Sequence, residues 1–136
     1  MKPSNILCGA LLSVIGVAIG ANLPRAADAP TGNKGLATGK TTSVDLGREF
    51  PGMEGRQLRL RVLTIEPGGY IGLHSHKDRP AVGYFLQGTD TAIRDDGSSQ
   101  TFKPGDVNAE PGSTIHWHRN DGKDQVILIV ADVFKP

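Results

Sequence analysis

From Thr41 onward, apolar and polar residues alternate in short runs, the two-residue period of a half-buried strand rather than a helix. Gln57 to Ile65 begins as a clean alternation and breaks at Glu66-Pro67-Gly68-Gly69. Further runs cover Tyr70–His76, Ala81–Leu86, Thr91–Arg94, Gln100–Phe102, Val107–Ala109 and Thr114–His118, and Gln125–Val133 is the most apolar of all. Gln87-Gly88-Thr89, Asp95-Asp96-Gly97, Lys103-Pro104-Gly105, Glu110-Pro111-Gly112 and Asn120-Asp121-Gly122 punctuate them with turn chemistry. No stretch carries a helical period with caps. Short strands separated by closely spaced turns predict one all-β domain, a sandwich or a barrel. Arg59 and Arg61 alternate with Leu58, Leu60 and Val62, which predicts that the arginines take the exposed face.

The chain begins differently. Met1-Lys2 precedes an apolar run from Ile6 to Ala21, short for a bilayer span. Residues 1–21 therefore suit a signal peptide cleaved after Gly20 or Ala21, or else an N-terminal membrane anchor; either exports the domain, to the periplasm or beyond. Cys8 lies near the start of the run, not its end, so lipidation is not expected, and a cleaved domain holds no cysteine for disulfides. Asn22 to Lys40, rich in Ala, Gly, Pro and Thr, reads as a flexible linker, or alternatively as a strand added to a neighbouring chain, leaving 41–136 as the folded domain. Fifteen basic residues against fourteen acidic ones provide no field for nucleic acid or an anionic membrane.

Candidate chemistry rests on histidine. All four histidines fall in two alternating pairs, His74-Ser75-His76 and His116-Trp117-His118. On strands, each pair aims two imidazoles at one point. Imidazole is the commonest ligand for divalent transition metals, so the spacing points to one such ion.

Two spacings around these pairs resemble the cupin superfamily, in particular its small single-domain bacterial members. Its first motif runs Gly, five residues, His-x-His, three or four residues, Glu, six residues, Gly; here Gly68, His74, His76, Ala81 and Gly88 keep that frame. The second runs Gly, five residues, Pro-x-Gly, two residues, His, three residues, Asn; here Gly105, Pro111-Gly112-Ser113, His116 and Asn120 keep it, with Ser113 in place of the last motif glycine. The resemblance spans residues 44–133 and implies a small jelly-roll β-barrel that commonly dimerises. It also implies His74, His76 and His116 as metal ligands. The motif's glutamate, the family's usual fourth ligand, is replaced by Ala81.

Three neutral imidazoles still suffice for an open catalytic site, with Fe or Zn favoured over Mn, Ni or Cu. His118, two residues beyond His116, is expected on the same interior face as a fourth ligand, an acid/base group or a pocket wall. Alternation places Tyr70 with the histidines, and Phe85 in register with Ala81 and Gly83. The two small residues would then leave a substrate space walled by Phe85 and Tyr70, with an ordinary core aromatic as the alternative for Tyr70. Arg79 is a candidate for a substrate carboxylate, or a loop charge paired with Asp78 or Glu110. Glu110 is a candidate partner for a histidine N–H ahead of a ligand. Trp117 should point away from the histidines, and turn chemistry explains Asn120. The resulting expectation is a metal-dependent enzyme on a small organic molecule, an Fe(II) oxygenase first. The alternatives are a zinc-type lyase, isomerase or hydrolase, and a module that binds metal or ligand without turnover.

Overall fold

The computed structural model describes residues 29–136, and eight antiparallel strands account for most of them. The leader expected over residues 1–21 lies outside the described residues. The strands are β1 (Lys34–Asp45), β2 (Gln57–Ser75), β3 (Ala81–Gln87), β4 (Asp90–Arg94), β5 (Ser99–Phe102), β6 (Val107–Glu110), β7 (Ile115–Arg119) and β8 (Val126–Phe134). Neighbours run β5-β4-β7-β2-β8-β3-β6, with β1 added to β2. The sheet rolls into a nearly closed barrel whose free edges are β5 and β6. A single turn of helix, α1 (Leu46–Glu49), follows β1; Asp45 caps it by accepting from Gly47 N at 3.0 Å.

The nineteen-residue β2 organises everything else. It pairs with β8 over Gln57–Ile65 and with β7 over Tyr70–Ser75. The expected turn at Glu66–Gly69 is thus a bend within one strand passing between two sets of neighbours. Gly68 sits at φ +70°, and a side chain at Gly69 would collide with the carbonyls of Lys34 and Glu66. Asn120 clamps the bend. Its backbone exchanges hydrogen bonds with Gly68 N (2.9 Å) and Gly69 O (3.0 Å). Its buried side chain donates to Ile65 O at 2.9 Å and Asp124 O at 2.8 Å, and accepts from Gly122 N at 2.9 Å. Turn chemistry alone understates this residue.

Two other expectations change. Residues 34–40, expected in the linker, form the first half of β1 and pair with β2 of the same chain. Just before it, Pro30 O accepts from Leu73 N and Asn33 Oδ1 from Gly72 N. β1 is exposed along almost its whole length, so it carries no apolar period to be read. The faces of β2 are also the reverse of expectation. Leu58 and Leu60 are 44% and 46% exposed, whereas Arg59 and Arg61 face inward onto the fully buried Asp132 of β8. A buried carboxylate demands cationic partners, and this outranks the alternation.

Below that polar layer the barrel closes on Leu63, Ile65, Phe85, Phe102, Val126 and Leu128. Phe85 and Phe102 stack with centroids 4.5 Å apart. Phe85 therefore belongs to the core.

Candidate metal centre

Cross-strand neighbours share a face, so register decides which side chains converge. His74 lies opposite His116, and Ile71 opposite His118. On the other edge of β7, Ala92 faces His118 and Arg94 faces His116. A bulge between Ile71 and His74 reverses the parity of β2. Ile71 therefore occupies the interior position expected for Tyr70, and Tyr70 pairs with Arg119 on the opposite face. Trp117 pairs with Ile93 on that face, as expected. His76 follows the end of β2, where its N–H donates to Thr114 O at 2.9 Å.

The four imidazoles meet at their Nε2 atoms. His76 Nε2 is 3.2 Å from His74 Nε2 and 3.1 Å from His116 Nε2, and His118 Nε2 is 3.4 Å from His116 Nε2. Nitrogens about 2.1 Å from a shared ion lie about 3.0 Å apart on an octahedral edge and about 3.4 Å apart on a tetrahedral one. Three outer nitrogens are tied back. His74 Nδ1–H donates to Gly72 O at 2.9 Å, His76 Nδ1–H to Arg79 O at 3.1 Å, and His118 Nδ1–H to the buried Asp90 at 2.6 Å. Each bond fixes the tautomer that leaves the Nε2 lone pair facing inward. Burial pushes the His74 pKa down to about 4 and that of His116 to about 2. His76 is also lowered, by burial opposed by Glu110. These three rings are neutral, as ligands must be. His118 is raised, because Asp90 overrides the effect of its burial.

The carboxylate missing from residue 81 reappears on the next strand. β3 and β6 pair Ala81 with Glu110 and Gly83 with Asn108. Buried Glu110 comes within 3.3 Å of His76 Nε2, 3.5 Å of His116 Nε2 and 3.7 Å of His118 Nε2. Asn108 Nδ2 orients it by donating to Oε1 at 2.8 Å. A side chain at Gly83 would collide with Asn108 Oδ1. The space expected for substrate beside Ala81 and Gly83 is therefore taken by Asn108 and Glu110. Glu110 approaches as a ligand would, not merely as a partner of an outer N–H. Two overlapping donor sets result, His74 with His116 and His118, and His76 with Glu110 and His116.

Two cavities flank these sets. One, about 270 Å³, opens between the free edges β5 and β6 and reaches His116 and Glu110, with Arg94 and Asn108 in its wall. The other, about 250 Å³, is lined by His74, Arg61 and Arg79 beside Leu63 and Ile71. Arg79 thus stands at a cavity wall, 3.6 Å from Asp132 and paired with neither Asp78 nor Glu110. Tyr70 and Phe85 line neither cavity. Imidazole and carboxylate donors at these spacings, with outer nitrogens fixed, fit one divalent transition ion.

Known proteins carry the same domain. The family model for the cupin domain matches residues 61–132. Germin-like protein subfamily 3 member 1 of Arabidopsis thaliana is 32% identical over 109 residues, 71% of this chain and 52% of that protein. A germin-like protein of Morus alba is 27% identical over 95 residues, 67% of this chain and 44% of its own length. The chain spans about half the length of these relatives. Among solved structures, a predicted oxalate decarboxylase from Thermotoga maritima superposes with a TM-score of 0.60 at 17% identity, over 81% of this chain and 96% of that one. A recombinant oxalate oxidase in complex with glycolate gives 0.53 at 24% identity, over 72% and 50% respectively. With the family model covering more than half of its length, the chain belongs to the cupin domain family.

Proposed function

We propose that this cupin is an exported, metal-dependent enzyme acting on a small organic molecule, with an Fe(II) oxygenase-type reaction as the leading case. The observation that carries this reading is the convergence of four Nε2 atoms and the Glu110 carboxylate while three outer nitrogens are held by fixed acceptors. Such preorganisation serves a metal and little else. Ferrous iron would supply redox chemistry toward dioxygen, whereas zinc would supply Lewis acidity alone. His74, His76 and His116 would hold the ion, Glu110 would add the anionic donor, and His118, steadied by Asp90, would ligate or hold a proton beside it. Ile71 and Leu63 form part of the apolar wall of the cavity on the His74 side.

Spacings of 3.1 to 3.4 Å suit a shared ion of either geometry, so the oxygenase and the second reading, a zinc lyase, isomerase or hydrolase, part on the identity of the metal. Metal analysis of the natively produced protein, with oxygen uptake over a panel of small organic acids and alcohols, separates the two. Iron with substrate-dependent oxygen consumption is expected. Zinc with no consumption on any substrate removes the oxygenase, and no metal at all removes the enzyme.

The same reading includes a homodimer. Leu58, Leu60, Val82, Tyr84 and Val107, each 43% to 69% exposed, share the outer face of β2, β3 and β6 beside β8. An apolar sheet face of this breadth favours a covering partner.

A further inference from the structure

We propose that the cavity beside His74 is a subsite for the carboxylate of a small organic acid, held by Arg61 and Arg79; this rests on the metal-enzyme reading and specifies its substrate. Charge inside the barrel is unbalanced there. Arg59, Arg61 and Arg79 surround a single carboxylate, Asp132. Arg59 takes both of its oxygens, at 3.0 and 2.7 Å. Arg61 and Arg79 share only Oδ2, at 3.3 and 3.6 Å. Three cations against one anion leave two positive charges over, and these two guanidiniums are the ones that line the cavity. Arg61 Nε is buried without a hydrogen-bond partner, so Asp132 leaves this guanidinium only partly satisfied.

No acidic side chain lines this cavity. Its remaining wall is apolar or uncharged, formed by Leu36, Leu63, Ile71, Thr31 and Asn33. A guanidinium pair above an apolar floor is the arrangement that recognises a carboxylate on a short carbon chain. His74, the one candidate ligand that is not fully buried, joins the cavity to the metal centre. An acid with a second oxygen function on its chain can therefore engage the arginines at one end and the ion at the other. Outside, Arg79 also borders a wider depression with Arg56, Lys77 and Lys135, against one acid, Asp78. That rim draws anions toward the entrance.

The test uses malonate with the full-length protein, zinc-loaded and metal-free, and malonamide as the uncharged control, followed by calorimetry. Malonate should bind the zinc-loaded wild type, and malonamide should not. Arg79→Gln and Arg61→Gln should each weaken malonate about tenfold to a hundredfold while changing zinc affinity less than about threefold. Arg79, with one long contact to Asp132, is removable without unfolding; circular dichroism checks both variants. Malonate affinity unchanged in both, malonamide binding equally well, or weakening by Arg94→Gln alone would each overturn the proposal. If zinc fails to bind the wild type but malonate still binds in an Arg79-dependent way, the subsite stands and the metal-enzyme reading falls.

Discussion

Replacing Glu110 with glutamine keeps the shape of the side chain and removes its charge. A carboxylate and a dication about 4 Å apart at an effective dielectric constant of about 20 attract by roughly 8 kcal/mol. Not all of this appears in binding. Without metal the carboxylate already accepts from Asn108 and lies 3.7 Å from the His118 ring, contacts that the ion must replace or compete with. Keeping about half leaves roughly 4 kcal/mol, a ceiling near a thousandfold in Kd. The residual amide oxygen lowers the expectation to a loss of about a hundredfold for Mn(II). Zn(II), content with imidazoles alone, should lose less. Competition titration against a chelator, on protein whose circular dichroism matches wild type, gives both numbers. A change below about threefold for Mn(II) would mean that Glu110 does not reach the ion.

The register supplies a rescue. Because Ala81 and Glu110 are cross-strand partners, Ala81→Glu in a Glu110→Ala background returns the carboxylate to the same neighbourhood from the adjoining strand. About tenfold or more of the lost Mn(II) affinity should return. Ala81→Glu alone should instead lower the melting temperature, since two buried carboxylates would face each other. A single variant as stable as wild type and no recovery in the double variant would place residue 81 away from the centre.

Other outcomes follow from neighbouring contacts. Asp90→Asn weakens the 2.6 Å bond to His118 Nδ1 and should cost about tenfold to a hundredfold in metal affinity, read by the same titration. Gly83→Ala drives a Cβ into Asn108 Oδ1 and should destabilise by about 1–3 kcal/mol in urea while loosening metal through Glu110. The metal-free protein should be most stable near pH 6.5. Below that value the unfolded chain takes protons that folded His74, His76 and His116 refuse, so stability falls as the pH drops. The His74 shift from 6.5 to about 4 is worth at most roughly 3 kcal/mol. His118 acts oppositely: its raised pKa contributes stability present below 6.5 and lost as the pH rises through the folded value. Urea titrations from pH 4.5 to 8 test both signs. Tyr84→Lys should convert a dimer to monomer in sedimentation without affecting metal.

The all-β domain, the turns other than that expected at Glu66–Gly69, and the histidine convergence were legible because each is local: a two-residue period, a Gly- or Asn-bearing corner, a His-x-His spacing. The departures came from contacts between strands distant in sequence. Tyr70 left the site because a bulge at Gly72-Leu73, invisible to strict alternation, hands its place to Ile71. Arg59 and Arg61 turned inward because Asp132, seventy-odd positions away, lies beside them. β1 went unseen because an exposed strand bonded only through its backbone needs no apolar residues.

The relocated carboxylate joins these points. Counted along the chain, Ala81 is a loss, and Glu110 is a charge before a Pro-Gly corner. Counted across β3 and β6, the two are one position, and Gly83 with Asn108 are the next. Small residues on one strand make room for the acid and its amide support on the other. What the centre demands is an anionic oxygen at a point in space, and a β-sheet can deliver it from either of two adjacent strands. A missing motif glutamate is therefore weak grounds for assigning an all-histidine site. The residues directly opposite it in the ladder must be inspected first, and here they include an acid.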